Sequence, residues 1–217
     1  MQTSDLAASA EDRSRFFWWL AEWFLGPPQR DRLASLAAGD AAATPPQDEL
    51  EAAWQALSRA VPDPDTMSLD EIGAEYTRLF SGIQEGLGPP PPFESVWRED
   101  RLMGEATVAV IEDYAQAGFA DIEPEAGPQD HLAVELKFLA LLALREAQAW
   151  RDGDSAGAEN RQARQRDFLE KHLGVWVPPW AETIKTQARL PLFAALAALT
   201  QAALEHTRME LTEPVGA

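Results

Sequence analysis

The chain has 217 residues, 46% of them hydrophobic, enough for one large domain or two small packed ones with a substantial core. It contains no cysteine, which excludes disulfides, thiolate zinc or iron–sulfur sites and a cysteine nucleophile, and fits a reducing compartment. The 36 acidic and 18 basic residues leave a formal net charge of −18, a surface that repels nucleic acid and anionic lipid and favours cationic partners.

The opening Met1-Gln2-Thr3-Ser4-Asp5-Leu6 lacks a basic region, and Glu11 and Asp12 interrupt the next stretch, so no signal peptide is read there. Apolar spacing is helical nearly throughout, with no internal repeat and no alternating run that suggests a sheet. A first helix is predicted over about Asp5–Leu25, with Phe16, Trp19, Leu20 and Trp23 on one face, stopped by Gly26-Pro27-Pro28. A short helix follows near Asp31–Ala38, then a loop to Thr44. A third helix starts through Pro45-Pro46, carries Leu50, Trp54 and Leu57, and ends near Pro62.

Ser68-Leu69-Asp70-Glu71 is a capping box that opens a helix with Leu69, Ile72, Tyr76, Leu79 and Phe80 in one stripe, ending at Ser81-Gly82. The run from Gly86 to Phe93, with four consecutive prolines, cannot be a helix interior. A helix is predicted from about Glu99 to Ala117, with Met103, Val110, Ile111 and Tyr114 inward and Gly118 as its stop. An acidic linker, Asp121–Gly127, precedes the most apolar helix, from Pro128 to about Trp150, which should be central. A polar helix near Ala156–His172 ends at Gly174. Val177-Pro178-Pro179-Trp180 starts another, Pro191 starts the last, to about His206, and the tail from Thr212 is expected to fray. Neither Leu132–Leu144, which contains Glu135 and Lys137, nor Leu190–Leu199 can span about 30 Å of hydrocarbon as a helix.

Catalytic signatures are missing. There is no HExxH, and His131, His172 and His206 are too scattered for a zinc cluster, so no metal is expected. There is no Gly-x-Ser-x-Gly elbow, no Walker A sequence, and no dinucleotide fingerprint in Gly82, Gly86 and Gly88. Asp152-Gly153-Asp154 begins like a calcium loop, but Ala156 and Ala163 occupy ligand positions.

Three segments stand out. Tyr76-Thr77-Arg78-Leu79-Phe80 reads as a core stripe. The proline run ending in Phe93-Glu94-Ser95-Val96-Trp97 reads as a stiff loop pinned by aromatics. Pro128-Gln129-Asp130-His131 reads as a helix start, with proline at the first turn and a carboxylate near the positive end of the dipole. Taken in order, they resemble the TorD/DmsD family of redox-enzyme maturation chaperones over most of the chain. Tyr76, Leu79, Phe80 and Gly82 match its aromatic-x-x-Leu-Phe-x-Gly pattern. Pro92, Phe93, Ser95 and Val96 match its Pro-aromatic-x-Ser-Val loop. Pro128, Asp130 and His131 match its Glu-Pro-x-Asp-His motif, except that Gly127 stands where the family has Glu.

The resemblance implies an all-α, TorD-like bundle of about nine helices. Residues 1–120 would carry the groove motifs, 121–127 would form a hinge (with hinge motion near 121–130), and 128–211 would pack back as one domain. It implies a cytoplasmic chaperone, not an enzyme, that uses no cofactor of its own. This chaperone would bind the twin-arginine signal peptide and apo form of a molybdopterin-dependent oxidoreductase subunit, assist cofactor insertion and delay export. Site residues would be Tyr76, Leu79, Phe80, Pro92, Phe93, Ser95, Trp97, Asp130 and His131. Asp130 would receive a leader arginine, and His131 would orient or gate that contact by protonation near neutral pH. Some relatives form domain-swapped dimers, and weak guanine-nucleotide binding is associated with the family. The competing expectations are a nitrate-reductase-type assembly factor for a non-exported molybdoenzyme, a helical nucleotide-binding enzyme, and a generic helical scaffold.

Overall fold

The computed structural model describes residues 3–39, 48–63, 68–82 and 86–212. These form ten α-helices: α1 Thr3–Glu22, α2 Arg30–Ala37, α3 Asp48–Ala60, α4 Leu69–Phe80, α5 Glu94–Glu99, α6 Glu105–Gln116, α7 Leu132–Arg151, α8 Ser155–Lys171, α9 Leu173–Gln187 and α10 Pro191–Thr212. The described residues contain no strand, only an isolated antiparallel bridge between Phe93 and His131. None of the described helices is long and apolar enough to cross a membrane. The Pro45-Pro46 start of the third helix and the tail beyond Thr212 lie outside the described residues.

Helix α7 is the axis of the bundle. Fifteen of its residues are buried, which is why its apolar side chains occupy every face instead of one stripe. Helix α1 packs along it, α8 returns beside it, and α10 lies between α9 and α3. Near one end, Arg13 of α1 is buried and donates to Gln165 of α8 at 3.1 Å and to Glu146 of α7, and it pairs with Glu210 of α10 at 2.8 Å. Glu146 also accepts from Gln162 and Gln165, each at 2.7 Å, so the buried charges are paired and saturated with donors.

Three boundaries differ from the sequence-based expectation. The helix predicted from about Glu99 starts at Glu105, and the stretch before it, read as a stiff loop, carries the short helix α5, joined to α6 by Asp100–Gly104. The carboxylate of Glu99 turns back to accept the N–H groups of Glu105 and Ala106, at 3.0 and 2.6 Å, and caps α6 from outside. Asp100 and Met103 take left-handed φ values of 56° and 57°, which no continuous helix permits. Met103 and Ile111, expected inward, lie at the surface, while Val110 and Tyr114 are buried as expected.

The second difference is α9, which begins at Leu173 and carries Pro178 and Pro179 in its interior. An interior proline costs about 3 kcal/mol. Starting at Val177 would take Leu173 and Trp176 off the buried stripe they share with Val177 and Trp180. A buried tryptophan of about 200 Å² contributes about 5 kcal/mol at about 25 cal/mol per Å² and a buried leucine about 2 kcal/mol, which together offset the about 6 kcal/mol that two interior prolines cost. Gly174 is the second residue of α9 and not a stop. A Cβ there would approach the Leu169 carbonyl oxygen to 2.5 Å, so glycine lets α8 and α9 join through His172 alone.

The third is α10, which runs past His206 to Thr212 because Thr207 and Leu211 remain on its buried face.

Candidate functional site

The three singled-out segments meet. At the end of α4, Gly82 has φ +57°, and a Cβ there would come within 2.8 Å of Pro91, so the chain turns directly against the proline run. Gly88 lies so close to α4 that a Cβ would stand 1.9 Å from the Arg78 carbonyl oxygen. Both glycines permit close approach, and together they press the second segment onto the first. The second then pairs with the third. The Leu132 N–H donates to the Pro92 carbonyl at 2.9 Å, and the Glu94 N–H donates to the Asp130 carbonyl at 2.9 Å. The Ser95 N–H donates to the Asp130 carboxylate at 2.8 Å. Asp130, distant in sequence, therefore caps the N-terminus of α5 with both its main chain and its side chain.

The individual residues fall into two groups. Tyr76, Leu79 and Phe80 are interior. The Tyr76 hydroxyl donates to the Phe24 carbonyl at 2.8 Å, and Phe80 packs edge-on against Phe24 and Phe193, each at 5.6 Å. Burial pushes the Tyr76 hydroxyl above its ordinary pKa. Pro92, Ser95 and Asp130 are buried too, and Ser95 Oγ and Asp130 Oδ1 have no hydrogen-bond partner. Phe93 and Trp97 are half-exposed; the Trp97 indole donates to the Pro91 carbonyl at 3.1 Å. The His131 ring stands edge-on to Phe93 at 4.9 Å.

His131 is the N-cap of α7. Its Nδ1 accepts from the Ala133 N–H at 3.2 Å, which requires that nitrogen to be unprotonated. Burial lowers its pKa to about 4, against a smaller upward pull from Asp130. His131 is therefore neutral at pH 7, and the expected gating by protonation near neutrality does not arise from it.

Sequence reasoning missed the polar layer behind these segments. Glu94 is fully buried; it accepts from Arg98 and faces His172 Nδ1 at 2.9 Å, while His172 Nε2 faces Asp113 at 3.2 Å. Glu135, also fully buried, accepts from the Trp176 indole at 3.4 Å. Burial first, and then the nearby Glu94 charge, raise its pKa well above the ordinary carboxylate value. The available signal was Glu135 itself, the one acid in the apolar Leu132–Leu144 stretch. Glu94 and His172 are 78 positions apart and share no motif.

The 121–130 segment is tied down on both sides. Gln129 Oε1 accepts from the Ile122 N–H at 2.9 Å, and the Tyr114 hydroxyl donates to the Gln129 carbonyl at 3.1 Å. Lys137 of α7 pairs with Glu123 at 2.5 Å and with Glu22 of α1 at 2.8 Å. Gly127 has φ +87°, a region that disfavours the glutamate expected there. Among the described residues no group of His, Cys, Asp and Glu could hold a metal ion.

Comparison with known proteins follows the same lines. The nitrate reductase delta subunit family matches residues 44–182. Chaperone protein TorD of Vibrio cholerae is 26% identical over 212 residues, covering 94% of this chain and 93% of its own. The Tat proofreading chaperone DmsD of Salmonella typhi is 30% identical over 175 residues, covering 77% and 78%. A crystal structure of a candidate redox enzyme maturation protein from Archaeoglobus fulgidus has the same fold, with a TM-score of 0.55 at 19% identity over 90% of this chain and 93% of that one.

Proposed function

This chain belongs to the nitrate reductase delta subunit family and is a redox-enzyme maturation chaperone of the TorD/DmsD type, and from that premise we propose that it acts in the cytoplasm on the twin-arginine leader and apo form of a molybdopterin-dependent oxidoreductase subunit. Its task is to hold that subunit for cofactor insertion and to delay its export. The observation that carries this reading is the convergence of the three segments into one clipped wall, with the half-exposed Phe93 and Trp97 at its surface. The net charge of −18 adds long-range attraction for an arginine pair.

In this reading Phe93 and Trp97 touch the leader. Pro92, Ser95, Asp130 and His131 hold them in place, and Tyr76, Leu79 and Phe80 form the rigid backing. Asp130 reaches a leader arginine only if the clip opens. Burying about 400 Å² of apolar leader surface yields about 10 kcal/mol gross at about 25 cal/mol per Å². Ordering the peptide and losing its free translation remove much of that. A micromolar complex results, reversible enough to release its client.

Isothermal titration with a twin-arginine leader, and with the same peptide carrying Gln for both Arg, tests the proposal. Micromolar binding lost with the arginines supports it; equal affinity for both peptides overturns it. The family description favours one second reading, an assembly factor for a nitrate-reductase-type subunit that is not exported. Co-purification separates the two: a leaderless client supports the second.

A further inference from the structure

The corner between α5 and α6 carries a contiguous apolar surface. Leu102 is 53% exposed, Met103 74%, Val108 56% and Ile111 43%. Met103 directly precedes the Gly104 N-cap of α6, and Val108 is the fourth residue inside. These are the positions of a hydrophobic staple. Ile111 follows Val108 by one turn on the same face. Isolated exposed apolar residues are ordinary, whereas adjoining ones mark a contact surface.

The corner is held rigidly in this outward form. Glu99 accepts from the N–H groups of Glu105 and Ala106, and it accepts from Arg101 at 3.0 and 3.1 Å. Gly104 leaves room for that carboxylate, since a Cβ there would stand 2.1 Å from Glu99 Oε2 and displace it. Met103, with φ 57°, keeps a left-handed conformation that costs about 1–2 kcal/mol for a side chain of its kind. The fold thus retains strain to present apolar side chains to water.

Exposed Asp100, Glu105 and Glu112 and half-buried Asp113 border the surface, and Arg101 is engaged by Glu99. Two copies facing each other here would bring like charges together in a chain of net charge −18. An apolar segment with basic residues beside it suits the same surface. The corner also continues the candidate site. The six residues of α5 separate it from Phe93, a span of about 9 Å at about 1.5 Å per residue. A bound peptide covers that in about three extended residues.

We propose that this corner docks the apolar segment of the client's twin-arginine leader, while the basic end lies toward the surrounding carboxylates. This rests on the proposed chaperone function. The probe is a synthetic peptide of two consecutive arginines followed by a Leu/Ala segment of about four helical turns, about 14 residues.

Isothermal titration is run on wild type and on Val108→Gln/Ile111→Gln, with circular dichroism confirming the fold. The double variant is expected to weaken binding at least about tenfold, a change of about 1.4 kcal/mol. A second double variant, Glu105→Lys/Glu112→Lys, is expected to weaken it further at low salt than at high salt. Wild-type binding with unchanged affinity in a folded Val108→Gln/Ile111→Gln protein overturns the corner and leaves the functional reading standing. No wild-type binding overturns both. Light scattering that shows a wild-type dimer abolished by Val108→Gln/Ile111→Gln reassigns the surface to self-association and overturns the proposal.

Discussion

Asp130→Ala is the sharpest test of the clip that joins the three segments. The Asp130 carboxylate accepts the Ser95 N–H at 2.8 Å, and both residues are fully buried. Alanine leaves that donor unpaired, at about 1–3 kcal/mol, and removes the side-chain cap of α5, which is typically worth about 1 kcal/mol. The two overlap, because the lost hydrogen bond is the cap. Removing a negative charge beside Glu94 and Glu135 offsets part of the loss. A net destabilisation of about 1–2 kcal/mol follows, or about 2–8 °C in Tm at about 2–4 °C per kcal/mol for a chain of this size. Asp130→Asn keeps an acceptor for Ser95 while removing the charge, so its Tm stays near that of wild type. Calorimetric melting of the three proteins, with amide hydrogen exchange at Glu94 and Ser95, is the assay. An Asp130→Ala protein that melts with wild type, or an Asn variant that falls as far as the Ala variant, refutes the capping account. Because Asn preserves the clip, a loss of leader affinity in that variant alone would assign the carboxylate's charge to the client arginine.

The Arg13–Glu146 pair makes a second prediction: Arg13→Ala leaves Glu146 buried without its charge partner and lowers stability by about 3–5 kcal/mol, as read by urea unfolding. His131 makes a pH prediction. Its folded pKa, about 4, lies below the unfolded value of about 6.5, so its contribution is fully present above about pH 6.5 and is lost as pH falls toward 4. The maximum is about 3 kcal/mol at about 1.4 kcal/mol per unit. His131→Asn, which can still cap α7, should flatten the Tm profile across that window, and an unchanged slope would count against the assignment. Met103→Gly removes left-handed strain and should raise Tm by about 2–4 °C, for about 1 kcal/mol; a lower Tm would show that the side chain stabilises the corner.

Much of this molecule was legible in its sequence because helices are local. The Ser68 cap is observed, with its hydroxyl accepting from the Glu71 N–H at 3.2 Å, and it opens α4 where the capping box placed it. The all-round apolar pattern of 128–150 made α7 central, since only a helix surrounded by others can bury every face. Legibility failed where distant residues decided the backbone. Glu99, accepting the first N–H groups of α6, sets its start at Glu105 and not at Glu99 where the periodicity placed it, and α5 formed in a stretch read as a loop. Burial of Leu173 and Trp176 carried α9 through two prolines that would stop an isolated helix.

The candidate site divides in the same way. Residue types and order were enough to single out Tyr76, Phe93 and Asp130, because each segment has unusual local chemistry. That Gly82 and Gly88 press the proline run against α4, that Asp130 caps a helix 35 positions away, and that Glu94, His172 and Asp113 form one chain of contacts are consequences of packing. Sequence alone determined most of the helices and most of their apolar faces, because hydrogen bonds between near neighbours and side-chain spacing are written along the chain. Tertiary structure decided which carboxylates are buried together and which apolar residues remain in water, because burial and charge pairing depend on groups that only folding brings into contact.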